Sequence, residues 1–155
     1  MNKIAVFPGS FDPITTGHES IIQRALPLFD KIIIAIGVNS TKDGYFSLEK
    51  RKAWIEKVFA DEKKVKIKTY KGLTVDFCKK EKANYILRGL RTSADFEFER
   101  VIAQMNRSMN SSIETVFILS TPELSAIAST VIRDIIRNGG DANKFVPYAI
   151  RKELK

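Results

Sequence analysis

Runs dense in β-branched and other apolar residues recur along the chain at 4–7, 32–38, 65–70, 85–87 and 115–119. Their length and composition predict five strands. Between them the apolar positions switch to three- and four-residue spacing. Ile21, Ile22, Ala25, Leu26 and Phe29 form one such stripe, and Leu48, Trp54, Ile55 and Val58 a second, entered through Ser47 as a helix cap. Further helices are expected over 75–82, 93–105, 130–137 and 147–154, with Gly139-Gly140 as a stop between the last two. Strands alternating with helices predict an α/β domain: a five-stranded parallel sheet, doubly wound with right-handed crossovers, spanning 1–155 as one unit. Folds of this kind carry their chemistry in loops beyond the carboxyl ends of the strands, at the point where strand order reverses. The loops after Phe7, Val38, Tyr70, Leu87 and Leu119 are therefore the places to look.

Composition narrows the reading little further. At 155 residues with 44% hydrophobic and 28% charged residues the chain is ordinary for a globular domain. No apolar run approaches the ~20 residues of a membrane span, and Met1-Asn2-Lys3 leads straight into the first strand without a signal-peptide layout, so a cytoplasmic protein is expected. The single cysteine, Cys78, has no partner for an intramolecular disulfide and, beside Phe77 in a helical stretch, is expected to be a buried thiol. The net charge of +8 is concentrated between Lys50 and Lys82, where twelve basic and five acidic residues lie. That stretch lacks the interleaved aromatics of a base-stacking platform, so it is read as a solvated basic face, or else a rim attracting small anions, and not as a nucleic-acid surface.

The loop after the first strand, Phe7-Pro8-Gly9-Ser10-Phe11-Asp12-Pro13-Ile14-Thr15-Thr16-Gly17-His18, opens directly into a helix. Gly9 and Gly17 permit close approach of the backbone, the prolines stiffen it, and the helix start offers free N–H groups and a positive dipole end to an anion. Neither G-x-G-x-x-G nor G-x-x-x-x-G-K-[ST] occurs, which disfavours dinucleotide folds and Walker-type kinases. His18, the only histidine, stands in the first helical turn, where a donor to phosphate is wanted. Arg88 and Arg91 flank Gly89 at a strand end, and their planar forks suit phosphate bidentately.

Thr15-Thr16-Gly17-His18 matches the T/H-x-G-H motif of the nucleotidyltransferase superfamily, whose fold is Rossmann-like. The fuller Pro8-Gly9-Ser10-Phe11-Asp12-Pro13 run resembles its phosphopantetheine adenylyltransferase branch. The resemblance extends through Asn39-Ser40-Thr41-Lys42, Arg88-Gly89-Leu90-Arg91, Asp95-Phe96-Glu97-Phe98-Glu99 and Met105-Asn106-Arg107, essentially the whole chain. It implies transfer of AMP from ATP to 4′-phosphopantetheine, with His18, Lys42 and Arg91 as catalytic residues. It places ATP against Ser10, Phe11, His18, Gly89, Leu90, Arg91, Glu99 and the loop Leu124, Ser125, Ala126, Ile127, Ala128, Ser129 and Thr130. The acceptor falls to Ser10, Lys42, Thr74 and Arg88. Mg²⁺ is expected to be carried by ATP, because one histidine, one cysteine and no clustered carboxylates make no protein metal site. The family further implies a homo-oligomer, commonly a hexamer, and inhibition by coenzyme A.

Two departures stand out. The 124–130 loop lacks the family's usual leading aromatic and its serine run, keeping hydroxyls only at Ser129 and Thr130, and Phe98 replaces a frequent tyrosine. The alternatives are a cytidylyltransferase, a nicotinamide-nucleotide adenylyltransferase, or a basic module that binds nucleic acid without turnover. The last of these leaves the two arginines and the Gly17-His18 helix entry without a common purpose.

Overall fold

The computed structural model describes residues 2–39 and 43–154. Five strands, β1 (Ile4–Gly9), β2 (Lys31–Gly37), β3 (Val65–Tyr70), β4 (Tyr85–Leu90) and β5 (Glu114–Leu119), form one parallel sheet in the order β3-β2-β1-β4-β5. They alternate with α1 (Thr16–Ala25), α2 (Leu48–Val58), α3 (Thr74–Lys80), α4 (Ser93–Met109) and α5 (Ser129–Arg137). This is the Rossmann-like, doubly wound sheet expected from the alternation of patterns. No helix among the described residues is long and apolar enough to cross a membrane.

Both faces of the sheet are covered, which is why its central strands read as unbroken apolar runs. Side chains alternate across a strand, so Ala5, Phe7, Ile32, Ile34, Ile36 and Leu87 enter one core with residues of α1, α2 and α5. Val6, Ile33, Ala35 and Ile86 enter the other with Val75, Phe77 and Cys78 of α3 and with Ile113. The second layer is thin where α4 lies. Within that helix only Glu99 is buried, while Phe98, Val101, Ile102, Met105 and Met109 are exposed.

Three elements differ from the sequence pattern. The first helix stops at Ala25 and a 3₁₀ turn, Leu26–Leu28, takes over, because Pro27 cannot donate within a continuing helix. α4 runs on to Met109, beyond the expected end at 105. The segment expected as a helix over 147–154 is a 3₁₀ stretch, Tyr148–Glu153. So short a segment does not propagate an α-helix unaided, and its course follows the burial of Ile150 and Leu154 in the main core.

The pairing of β1 decides where the molecule opens. β1 stays in register with β2 as far as Gly9↔Ile36, and β4 with β5 as far as Leu90↔Leu119. Between β1 and β4, however, pairing is confined to Ala5↔Tyr85 and Val6↔Ile86. From there the two central strands diverge, and a crevice forms at the switch point.

Cys78 is fully buried, and burial pushes its thiol up to about 11. Only about one thiolate in a thousand is then present at pH 8. A thiol-labelling reagent should therefore leave the native chain untouched and react in step with loss of circular dichroism in denaturant. Rapid labelling in native buffer would show that this core is open.

Candidate active site

α1 begins with an exchange between Thr15 and His18. The Thr15 hydroxyl accepts from the His18 backbone N–H at 3.1 Å, and the His18 Nδ1 accepts from the Thr15 backbone N–H at 3.0 Å. This is a capping box with an imidazole where glutamate or glutamine usually stands. It also fixes the tautomer: because Nδ1 is occupied as an acceptor, the ring proton resides on Nε2. Gly17 lets the turn close, since an added Cβ would sit 3.3 Å from the Thr15 Oγ1.

The ring lines a cavity of about 390 Å³ at the divergence of β1 and β4. Desolvation lowers its pKa to about 4, assisted by the positive charges of Arg88 and Arg91. At neutral pH His18 is therefore an uncharged imidazole presenting an N–H. The rings of Phe11 and Phe7 pack against it edge-on, at 5.0 and 6.2 Å between centroids.

Neither arginine is idle. Arg88 pairs with the buried Glu99 through two hydrogen bonds, Nε to Oε2 at 3.0 Å and Nη2 to Oε1 at 2.6 Å, while its Nη1 donates to the Pro8 carbonyl. Arg91 pairs with Asp95, four residues on, at 3.2 Å. The two pairs differ in kind. Removing Arg88 would strand the buried Glu99 carboxylate at a cost of about 3–5 kcal/mol, whereas the more exposed Arg91–Asp95 pair is worth about 1 kcal/mol or less. Arg91 is consequently the arginine that exchanges partners readily.

Opposite His18, α5 starts at Ser129 with Ala128 in the capping position and no side-chain cap. Ser129 donates its hydroxyl instead to the Pro13 carbonyl at 2.8 Å, and Arg133 donates to the Asp12 carbonyl at 2.8 Å. The free N–H groups of the first turn lie at the cavity wall formed by Ile127, Ala128, Ser129 and Thr130. An unsatisfied helix start beside a neutral N–H donor is a site for an anion.

A second cavity of about 230 Å³ adjoins the first, sharing Pro8, Gly9, Arg88 and Glu99 as its wall. Tyr70, Thr74, Phe98, Ile102, Ala103 and Asn106 line it, and the Tyr70 and Thr74 hydroxyls are 2.9 Å apart.

Of the residues singled out in the sequence, the structure gathers Ser10, Phe11, His18, Arg88, Gly89, Arg91, Glu99, Ile127, Ala128, Ser129 and Thr130 around the first cavity, and Thr74 at the second. Leu90 turns into the core, and Leu124, Ser125 and Ala126 do not line either cavity; the Ser125 hydroxyl donates to the Pro122 carbonyl. Lys42 lies outside the described residues. Sequence reasoning gave no role to Thr15, Asp95 or Tyr70. The four-residue spacing of Arg91 and Asp95 was a visible signal for the first-turn pair, whereas the Tyr70–Thr74 contact needed the strand end and helix start to be placed.

The cytidylyltransferase-like family model matches residues 6–135, and the chain belongs to that family of nucleotidyltransferases. The chain is 58% identical to a phosphopantetheine adenylyltransferase of Flavobacterium johnsoniae over 147 residues, covering 95% of this chain and 96% of that one. The phosphopantetheine adenylyltransferase of Leptospira biflexa is 46% identical over 154 residues, 99% and 96% of the two chains. Within the family, this chain is one of the phosphopantetheine adenylyltransferases. In fold it is similar to a candidate nicotinate-nucleotide adenylyltransferase of Vibrio parahaemolyticus, with a TM-score of 0.75, 19% identity and 99% of both chains covered. A bifunctional NMN adenylyltransferase/ADP ribose pyrophosphatase of Francisella tularensis shares the fold at a TM-score of 0.70 and 22% identity, over 94% of this chain and 45% of that one.

The pKa of His18 ties the site to stability. In the unfolded chain the ring takes up a proton near 6.5, in the folded chain only near 4. Its contribution is therefore intact above 6.5 and lost as pH falls from 6.5 through 4, by up to about 1.4 kcal/mol per pH unit. Urea midpoints of the wild type should fall more steeply across that window than those of His18→Asn. Parallel pH profiles for the two would show that the imidazole is not held neutral.

Proposed function

We infer that the chain transfers AMP from ATP to 4′-phosphopantetheine, giving dephospho-coenzyme A and pyrophosphate. One observation carries the reading: a neutral imidazole with its proton on Nε2 shares a cavity with two arginines and an uncapped helix start, and a second cavity adjoins it across Arg88. The first suits a triphosphate. The second, lined by apolar side chains with hydroxyl and amide groups among them, suits an extended amide-bearing arm whose phosphate would reach the shared wall.

The acceptor phosphate, with a second pKa of about 6, is largely dianionic at pH 7 and needs no general base. Its oxygen forms a bond to the α-phosphorus in line as the bond to the bridging oxygen breaks and pyrophosphate departs. The protein's task is to hold two polyanions together and stabilise charge on the non-bridging α-oxygens. The Nε2–H of His18 is assigned that donation; being neutral, it donates a hydrogen bond without surrendering a proton. Ser10 and Phe11 belong to the loop under the nucleotide. Arg91 leaves Asp95 for the β- and γ-phosphates, beside the N–H groups of Ser129 and Thr130. Arg88, with Lys42, secures the acceptor phosphate, and Thr74 its arm. Gly89 on one side, and Ile127 and Ala128 on the other, complete the assignment to ATP. Mg²⁺ enters on the ATP phosphates as part of the substrate.

The setting is cytoplasmic and the assembly a homo-oligomer, a hexamer by family likeness, with coenzyme A as feedback ligand. The exposed stripe Phe98, Val101, Ile102, Met105 and Met109 along α4 supports association.

Pyrophosphate release from Mg·ATP should depend on phosphopantetheine and not on nicotinamide mononucleotide, and duplex DNA should not bind across a salt titration. Turnover with the mononucleotide instead would overturn the assignment. Replacing His18 by Ala should lower kcat by about 10²–10³ with a smaller change in substrate binding. Near-normal turnover would remove the imidazole from catalysis. Lys42→Ala should raise the KM for phosphopantetheine or lower kcat; unchanged constants would cancel its role.

A further inference from the structure

Among the described residues, Asp12, Arg51 and Glu99 are the buried charged side chains. Glu99 answers Arg88 within the site. Asp12 and Arg51 are left out of the reaction, and burying charge costs free energy unless it is fully partnered.

Among the described residues, their hydrogen-bond partners are backbone groups of two loops. The Asp12 carboxylate accepts from the Tyr45 N–H at 2.7 Å and the Phe46 N–H at 2.9 Å. The Arg51 guanidinium donates to the Phe46 carbonyl at 3.0 Å and to the Ser10 carbonyl at 2.8 Å. At Gly44 a Cβ would lie 2.9 Å from the Phe46 carbonyl oxygen and 3.0 Å from both the Asp12 Oδ2 and the Arg51 Nη2, so a side chain there would force the joint to shift. Ser10 and Asp12 are thus each held, and Phe11 stands between them.

Phe11 has φ +46, a left-handed conformation that costs a residue with a Cβ about 1–2 kcal/mol. That conformation directs its ring inward, 2% exposed, against the edge of the His18 imidazole at 5.0 Å. We propose that Asp12 and Arg51 are positioning residues for the reaction: by pinning the backbone on both sides of Phe11 they keep its ring against His18 and so set the direction of the Nε2–H. The proposal rests on His18 acting as the donor to the α-phosphate. A donor that must meet a developing charge tolerates little displacement, a shift of about 1 Å costing on the order of 10² in rate.

The test is Asp12→Asn in an untagged chain, whose only histidine is His18. An amide offers one oxygen where two N–H groups need acceptors, and turns an N–H toward the other. Three quantities are read: kcat with both substrates saturating, the Kd of Mg·ATP by calorimetry without acceptor, and the His18 ring titration by NMR. Arg88, Arg91, Asp95 and Glu99, which line the same cavity as the ring, are unchanged by the substitution. We expect kcat to fall about 10- to 100-fold with the Kd within about threefold, and the titration midpoint to rise from near 4 toward 6.5 as Phe11 ceases to cover the ring.

A folded variant with an unmoved titration overturns the proposal, whether its kcat is normal or lowered in proportion to ATP binding. If Asp12→Asn does not fold, Arg51→Lys, which keeps the charge but loses the fork, decides by the same readouts. The titration needs no turnover. Should the wild type fail to use phosphopantetheine, the reaction assignment falls while the imidazole's dependence on Asp12 is still measured.

Discussion

Everything at the site depends on β1 and β4 ceasing to pair after Val6 and Ile86. A parallel sheet closes its own backbone groups and leaves no room between neighbouring strands; only where two neighbours separate can a ligand reach the strand ends. Here the separation comes where the connection reverses direction across the sheet, with β2 and β3 on one side and β5 on the other. The Pro8–Pro13 turn, the start of α1 and the Arg88-Gly89 corner of β4 are all drawn to that one gap, and the start of α5 closes it from the outside.

The gap is furnished with directed donors and little net charge. Arg88 is matched by Glu99 and Arg91 by Asp95, and the imidazole between them is kept neutral by burial and by those same arginines. An arrangement of this kind avoids leaving bare cations in a partly desolvated space, where they would be costly. It also grades the groups by how easily they are released: the bidentate Arg88–Glu99 pair, with its carboxylate buried, holds the wall between the cavities, while the more exposed Arg91–Asp95 pair is free to rearrange. The excess basic charge of the 50–82 stretch lies mostly elsewhere, on surface positions of α2, β3 and α3.

The same economy of partners explains the chain from Pro8 to Pro13. The carbonyls of Pro8, Ser10, Asp12 and Pro13 accept from side chains of three elements: Arg88 of β4, Arg51 of α2, and Arg133 and Ser129 of α5. A turn with a left-handed phenylalanine is not self-supporting, and these donors, with the Tyr45 and Phe46 N–H groups that hold the Asp12 carboxylate, brace it.

The periodic apolar runs alone determined the element order, the parallel sheet and the loops that face the site, because burial on both faces leaves a signal in every central strand. The local motif determined His18's place in a first helical turn, since capping involves residues three apart. Its neighbours in space were another matter. The end of the first helix turned on Pro27, a local feature outweighed in the reading by the apolar stripe, and the 3₁₀ course of Tyr148–Glu153 on a core contact that no window of sequence contains. The capture of Arg88 by Glu99, the pinning of Ser10 by Arg51 across 41 residues and the grip of Arg133 on Asp12 across 121 were decided by the tertiary structure. Charged side chains choose partners by distance and exposure after the strands have been laid side by side, and neither quantity is written in residue order.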